Sequence, residues 1–106
     1  MVVMMQTAIW NGYKFEVCEP FSRWSAASGI YIFAGSQSGK WLPLYVGQAI
    51  SFQQRFSNHE KWEAAQRLGM THIHAMAVNH QGERDRIERD LIQTFNPRLN
   101  VQLART

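Results

Sequence analysis

The stretch Gly29–Gly47, GIYIFAGSQSGKWLPLYVG, decides the fold. Gly29 to Ala34 is a run of β-branched, aromatic and small apolar residues, which suits a well-buried strand. Gly35, Ser36, Ser38 and Gly39 predict a turn, and Trp41 to Val46 returns as a second strand. Pro43 inside the return has no N–H to give the ladder, so that strand is expected at a sheet edge or a bulge. Each strand sets a tyrosine, Tyr31 or Tyr45, close to a glycine.

Working outward, Thr7 to Trp10, Asn11-Gly12 and Tyr13 to Val17 read as a hairpin, since Asn-Gly suits a type I′ turn. Pro20 ends that run. Downstream, Ser51 followed three residues later by Gln54 is a helix start. The helix is expected to carry Phe52, Arg55, Phe56 and His59. A further helical stretch, Glu60 to Leu68, stops at Gly69. Thr71 to Val78 is the third strand of the main sheet, and Glu83 to Phe95, with Pro97 just beyond, is the clearest helix. The order predicts an α+β fold: a small antiparallel sheet of three core strands plus an N-terminal hairpin, flanked by helices. Residues 1–20 are taken as the hairpin extension and 21–106 as the main unit of one compact domain.

With 106 residues the chain holds one modest core, and its net charge of +3 and pI near 9.4 suit a polyanionic partner without requiring one. Cys18 is the only cysteine, which excludes an intrachain disulfide and a cysteine-rich zinc site. The apolar Met1-Val2-Val3-Met4-Met5 start is short and lacks a basic lead, so it is not read as a signal peptide. No run approaches a membrane span. A cytoplasmic, intracellular setting is expected. No P-loop, dinucleotide fingerprint, metalloprotease helix or nucleophile elbow is present.

The last helix carries an anomaly. At roughly 100° per residue, Ile87, Leu91, Ile92 and Phe95 share one arc of about 140°, and Glu88 lies inside it. Arg84 is inside as well, but in the first turn, where a long side chain reaches water. A carboxylate on a packing face is costly unless paired, hydrogen-bonded or metal-bound. Three accounts stay open: an ion pair with Arg55 or another arginine, a glutamate at the margin of the stripe, or a ligand for a hard divalent cation, which needs only one or two carboxylates. Arg55 has the fork of donors that suits phosphate, and His59, one helical turn on, would share its face. His72 and His74 alternate on one strand and face the same way, but without further ligands they do not make a zinc site. The tryptophans are assigned to the core.

The order of these groups resembles the GIY-YIG nuclease family. Gly29-Ile30-Tyr31 matches the first signature, and Tyr45-Val46-Gly47 is the Val variant of the second. Arg55 stands eight residues after Gly47, Glu88 precedes Leu91-Ile92, and Pro97 with Asn100 resembles the closing Pro-x-x-Asn. The resemblance runs from Gly29 to Asn100. It implies metal-dependent endonuclease activity on DNA, with RNA not excluded, and Mg²⁺ or Mn²⁺ as cofactor. In such enzymes Glu88 would hold the metal and Tyr31 would act as general base. Tyr45 would position phosphate or water, Arg55 would stabilise the transition state, and His59 would join a proton relay or contact phosphate. Gly29, Gly47 and Asn100 would organise the site.

Two features depart from the pattern. Gln48 stands where some repair-type members carry lysine, and the hairpin is outside the family core. The hairpin could cover a sheet edge, extend the DNA surface or build a dimer contact. The competing reading is a non-catalytic nucleic-acid-binding module, or a partner subunit, that keeps the nuclease fold. A homodimer or a targeting partner protein is compatible with either.

Overall fold

The computed structural model describes residues 6–101. The Met1–Met5 run and the last five residues of the 21–106 unit lie outside the described residues. The elements are β1 (Thr7–Trp10), β2 (Tyr13–Cys18), β3 (Gly29–Gln37), β4 (Lys40–Ala49), α1 (Phe52–Ser57), α2 (Trp62–Arg67), β5 (Met70–Ala77), α3 (Gln81–Phe95) and α4 (Arg98–Val101). The strands form one antiparallel sheet of five in the order β1-β2-β5-β3-β4. The fold is α+β as expected, and the hairpin is no separate flap. β2 pairs with β5 through Glu16, Val17 and Cys18, so the hairpin covers what would be an open edge.

β3 is buried without a break from Gly29 to Gly35 because helices cover both faces of the sheet. Ile30, Ile32 and Ala34 pack with Ile87 and Leu91 of α3, whereas Tyr31 and Phe33 pack with Phe52, Ala65 and Leu99 on the opposite face. This is the period of two expected for a strand. The first turn needs positive φ at both positions, which Asn11 (52°) and Gly12 (86°) supply. Ser38 (53°) and Gly39 (76°) do the same for the second, so that turn is tighter than the sequence suggests and both flanking strands are longer. Pro43 satisfies both readings at once. β4 is the edge strand, and the register skips from Phe33↔Tyr45 to Ala34↔Pro43. The extra residue is Leu44, and as a result consecutive Leu44 and Tyr45 enter the same core cluster. The bulge thereby re-aims Leu44, while Tyr45, regularly paired with Phe33, already lies on the Tyr31 face. Ser51 caps α1 by accepting the Gln54 N–H at 3.3 Å. The left-handed Asn96 (49°) and Pro97 stop α3.

Arg84 does not reach water. It is buried, its guanidinium donating to the Val78 carbonyl and the Gln81 side chain, both at 2.9 Å. Val78, which accepts one of these bonds, directly follows β5.

A second polar group is buried at the centre of the sheet. His74 is fully covered, and its Nδ1 accepts the Trp10 indole N–H at 2.8 Å. The neutral ring therefore carries its proton on Nε2, which has no hydrogen-bond partner. The Trp41 ring stands perpendicular to it at 4.6 Å and offers a π face instead. His72 meets the same indole at 5.2 Å, so the two histidines do share a face. No group of three metal-binding side chains occurs among the described residues. Burial, with a lesser push from His72, lowers the His74 pKa from 6.5 to about 4. Between these values the unfolded chain binds a proton that the folded one refuses, so stability falls as pH drops from 6.5 towards 4. The loss is on the order of 3 kcal/mol once both values are passed. In His74→Gln, which keeps an acceptor for Trp10, the slope of urea-unfolding free energy against pH in this window should flatten by close to one proton. An unchanged slope would refute the assignment.

Candidate active site

Tyr31 on β3 lies directly across from Gly47 on β4. A Cβ at position 47 would sit 2.5 Å from the Tyr31 hydroxyl oxygen and 3.0 Å from the Tyr45 ring. Glycine is required here by the phenols crowding over it, not by backbone conformation. The two tyrosine rings have centroids 6.2 Å apart. Gly29 answers a different crowding, since a side chain there would collide with the Met76 carbonyl and the Phe52 ring. Asn100 holds the second signature from outside the sheet. Its Oδ1 accepts the Val46 N–H at 2.8 Å, and its Nδ2 donates to the Val46 carbonyl at 2.9 Å. β4 has no strand on that side, so the amide stands in for one and fixes the backbone between Tyr45 and Gly47.

His59 is not on the Arg55 helix. α1 ends at Ser57, and His59 occupies the link to α2 with its ring turned inwards and buried. Its Nε2 lies 2.6 Å from the Tyr31 hydroxyl, and its Nδ1 accepts the Lys61 backbone N–H at 2.9 Å. A backbone N–H can only donate, so in the neutral ring the proton is on Nε2 and points at the Tyr31 oxygen. Burial, reinforced by the Arg55 charge, lowers the His59 pKa to about 4, so the ring is neutral at pH 7. Burial raises the Tyr31 and Tyr45 phenols, while Arg55 pulls both back down. Both phenols therefore keep their protons in the free protein.

The Arg55 fork is occupied. Its two terminal nitrogens donate to the two carboxylate oxygens of Glu60, each at 2.8 Å. This bond is the main reason the Glu60 pKa falls to about 2. The partner expected as one alternative, Glu88, is elsewhere, and among the described residues it enters no ion pair. Glu60 was missed in the sequence because a separation of five residues matches no helical pairing. The pair forms only because the chain leaves the helix at Asn58.

Glu88 is half-buried and sits in a chain of directed hydrogen bonds. Arg84 can only donate, so the Gln81 Oε1 it reaches at 2.9 Å accepts. Gln81 Nε2 then donates to Gln48 Oε1 at 2.9 Å and to Asp85 at 2.8 Å. Gln48 Nε2 in turn donates to Asp85 Oδ1 and Glu88 Oε1, both at 2.9 Å. A donor-only cation at one end and acceptor-only carboxylates at the other orient both amides. Gln48 and Gln81, in that order, hold the Asp85 carboxyl below its usual range. Glu88 also acts on the second tyrosine, adding to the upward shift of Tyr45.

The carboxylates test the fit of a divalent cation. Among the described residues Glu88 has no cationic side chain neutralising it, Gln48 engages only its Oε1, and the exposed Asp85 shares the same amide. Oxygen ligands of this number suit a hard ion that keeps most of its water, such as Mg²⁺ or Mn²⁺, and do not suit zinc.

No family model matches the chain, and no curated protein matches it. Solved structures do. The N-terminal GIY-YIG endonuclease domain of UvrC from Thermotoga maritima, bound to its catalytic divalent cation magnesium, superposes with a TM-score of 0.56 at 23% identity, over 71% of this chain and 84% of that one. A point mutant of the same domain bound to its divalent cation gives 0.57 at 22% identity, over 71% and 83%. The chain thus has the GIY-YIG nuclease fold, α+β with a five-stranded antiparallel sheet and flanking helices. Among the described residues no helix is long and apolar enough to cross a membrane.

The crowding at position 47 gives a direct test. Gly47→Ala must displace one of the phenols, at a cost of about 1–3 kcal/mol. For a domain of this size that is a fall in Tm of roughly 4 °C or more, read by thermal denaturation. An unaltered Tm would show that the phenols do not confine this position.

Proposed function

We propose that this protein is a divalent-metal-dependent endonuclease acting on DNA. One observation carries the reading. Tyr31, Tyr45, Arg55 and His59 share one cluster, and beside it Glu88 enters no ion pair among the described residues. The UvrC domain named above, with this fold, is an endonuclease domain bound to a catalytic divalent cation. The basic balance of the chain, +3, suits a phosphate backbone.

In this mechanism Glu88, with Asp85 at hand, would hold the ion, and Gln48 fixes the Glu88 carboxylate. The bound ion supplies Lewis-acid activation and charge neutralisation at phosphate. Tyr31 orients the attacking water and takes its proton as the tyrosinate, its own proton having passed to solvent, and the tyrosinate oxygen is steadied by the His59 N–H. That bond and the Arg55 charge both favour the tyrosine oxygen as an acceptor. The tautomer narrows the role of His59: it donates to Tyr31 and has no free lone pair for the Tyr31 proton. Tyr45 positions the phosphate, and Arg55 offsets charge building on it. For that, Arg55 exchanges Glu60 for phosphate. The exchange is inexpensive, since a pair this exposed contributes about 0–1 kcal/mol.

Purified protein incubated with labelled single-stranded, duplex and branched DNA plus Mg²⁺ or Mn²⁺ should give cleavage. Glu88→Gln and Tyr31→Phe should each lower the rate by about 10²–10⁴; Glu88→Gln should keep its Tm, whereas Tyr31→Phe should lose about 1–3 kcal/mol because the buried His59 N–H loses its partner. Salt-sensitive binding without cleavage under any metal would select the non-cutting module instead. Glu60→Gln, which frees the Arg55 fork, should lower KM for DNA by up to about fivefold, the span of an exposed pair. A raised KM would mean that Glu60 holds Arg55 in its working position rather than competing with phosphate.

A further inference from the structure

The connection between β2 and β3 bears the most exposed aromatic ring among the described residues. Phe21 is 82% exposed, although burying a phenylalanine is favourable. The ring is not loose. Ser22 returns its N–H and its hydroxyl to the Glu19 carbonyl, at 3.1 and 2.7 Å, and the Trp24 indole donates to the Pro20 carbonyl at 3.3 Å. These bonds, with the fixed φ of Pro20, hold Phe21 out over Trp62 at a centroid distance of 5.7 Å.

Beneath the ring lies a cleft of about 610 Å³ lined by Pro20, Phe21, Arg23, Phe56, His59 and Trp62 among others. That is within the roughly 300–1,000 Å³ of small-molecule sites. Its lining contains one guanidinium and no carboxylate, and Arg23 enters no ion pair among the described residues. Among the described residues the cleft therefore combines aromatic walls from Phe21, Phe56 and Trp62 with polar side chains, and its one charged group is cationic, which suits an anion. It is also joined to the candidate active site. Trp62 packs edge-on against Phe33 at 5.8 Å, Phe33 meets His59 at 4.7 Å, and His59 bonds Tyr31.

We infer that Phe21 and Trp62 form a stacking site for an unpaired nucleobase of the substrate strand, with Arg23 engaging the adjoining phosphate. The inference rests on the nuclease reading and gives that site a substrate class: nucleic acid with a single-stranded segment beside the scissile bond. Base stacking on an aromatic ring tolerates any sequence, because every base has a π face. The cleft therefore selects for unpaired structure and not for a sequence.

The test uses the full chain carrying Glu88→Gln, so that bound strands persist. Anisotropy is read with a fluorescein-labelled thymidine 12-mer, with a sugar-phosphate strand of the same length lacking bases, and with a duplex. Phe21→Ala should weaken binding of the thymidine strand by about five- to tenfold and leave binding of the base-free strand unchanged. Phe21→Trp should restore it. Arg23→Gln should weaken both single strands and reduce the salt slope by about one. Tm should not move in any of these variants, since both side chains are exposed. Equal affinity of Phe21→Ala and its parent for the thymidine strand overturns the inference and assigns the ring to another partner, while DNA cleavage by the wild-type chain leaves the nuclease reading standing. Absence of both binding and cleavage overturns the two together.

Discussion

The site depends on one close approach, the Tyr31 phenol resting on the bare Cα of Gly47. Because position 47 has no side chain, the two tyrosines can crowd over the β3–β4 pair rather than splay apart. Three other features maintain this arrangement. The unbroken register Tyr31↔Gly47 and Phe33↔Tyr45 sets Tyr45 on the same face as Tyr31. Asn100 replaces the missing neighbour of the edge strand, so the backbone at Val46 does not fray. His59 caps the Tyr31 oxygen from the far side. Each is a short polar or steric constraint set within a core that apolar burial has already closed.

The charged groups are arranged in two separate systems. Arg55 and Glu60 form a solvent-facing pair above the phenols. Arg84, Gln81 and Gln48 form a relay that runs from the buried guanidinium out to Asp85 and Glu88. Keeping them apart matters, because a direct contact between arginine and Glu88 would neutralise that carboxylate as Arg55 neutralises Glu60. The neutral Gln48 is consistent with this separation. It steadies Glu88 through a hydrogen bond while leaving its charge unbalanced.

Much of the fold was legible in the sequence because the signals were local. Asn11-Gly12 specified its hairpin turn, Pro43 marked an edge and a bulge, and Ser51 marked a cap. The unbroken apolar run of β3 and the stripe on α3 pointed to a sheet flanked by helices, and the odd position of Glu88 within that stripe was visible from spacing alone. What was not legible depends on distant partners. Arg84 looked solvent-bound because nothing in its own helix shows that β5 ends against it. His59 looked helical because the period continued past the point where Asn58 breaks the chain away. The two glutamines of the relay, 33 residues apart, have no pattern in common. The hairpin was visible as a unit, but its pairing with β5 was not, since β2 carries no mark of its neighbour.

That pairing has a practical consequence for anyone who would trim the chain to its signature-bearing part. A version beginning at Gly29 would strip β5 of its flanking ribbon at Ile73, His74 and Ala75, leaving a row of thirsty backbone amides beside a freshly bared apolar slot once filled by Phe15 and Trp10. Such a shortened molecule is primed to recruit a stranger's strand, and its self-association would reflect the cut and not the behaviour of the intact protein.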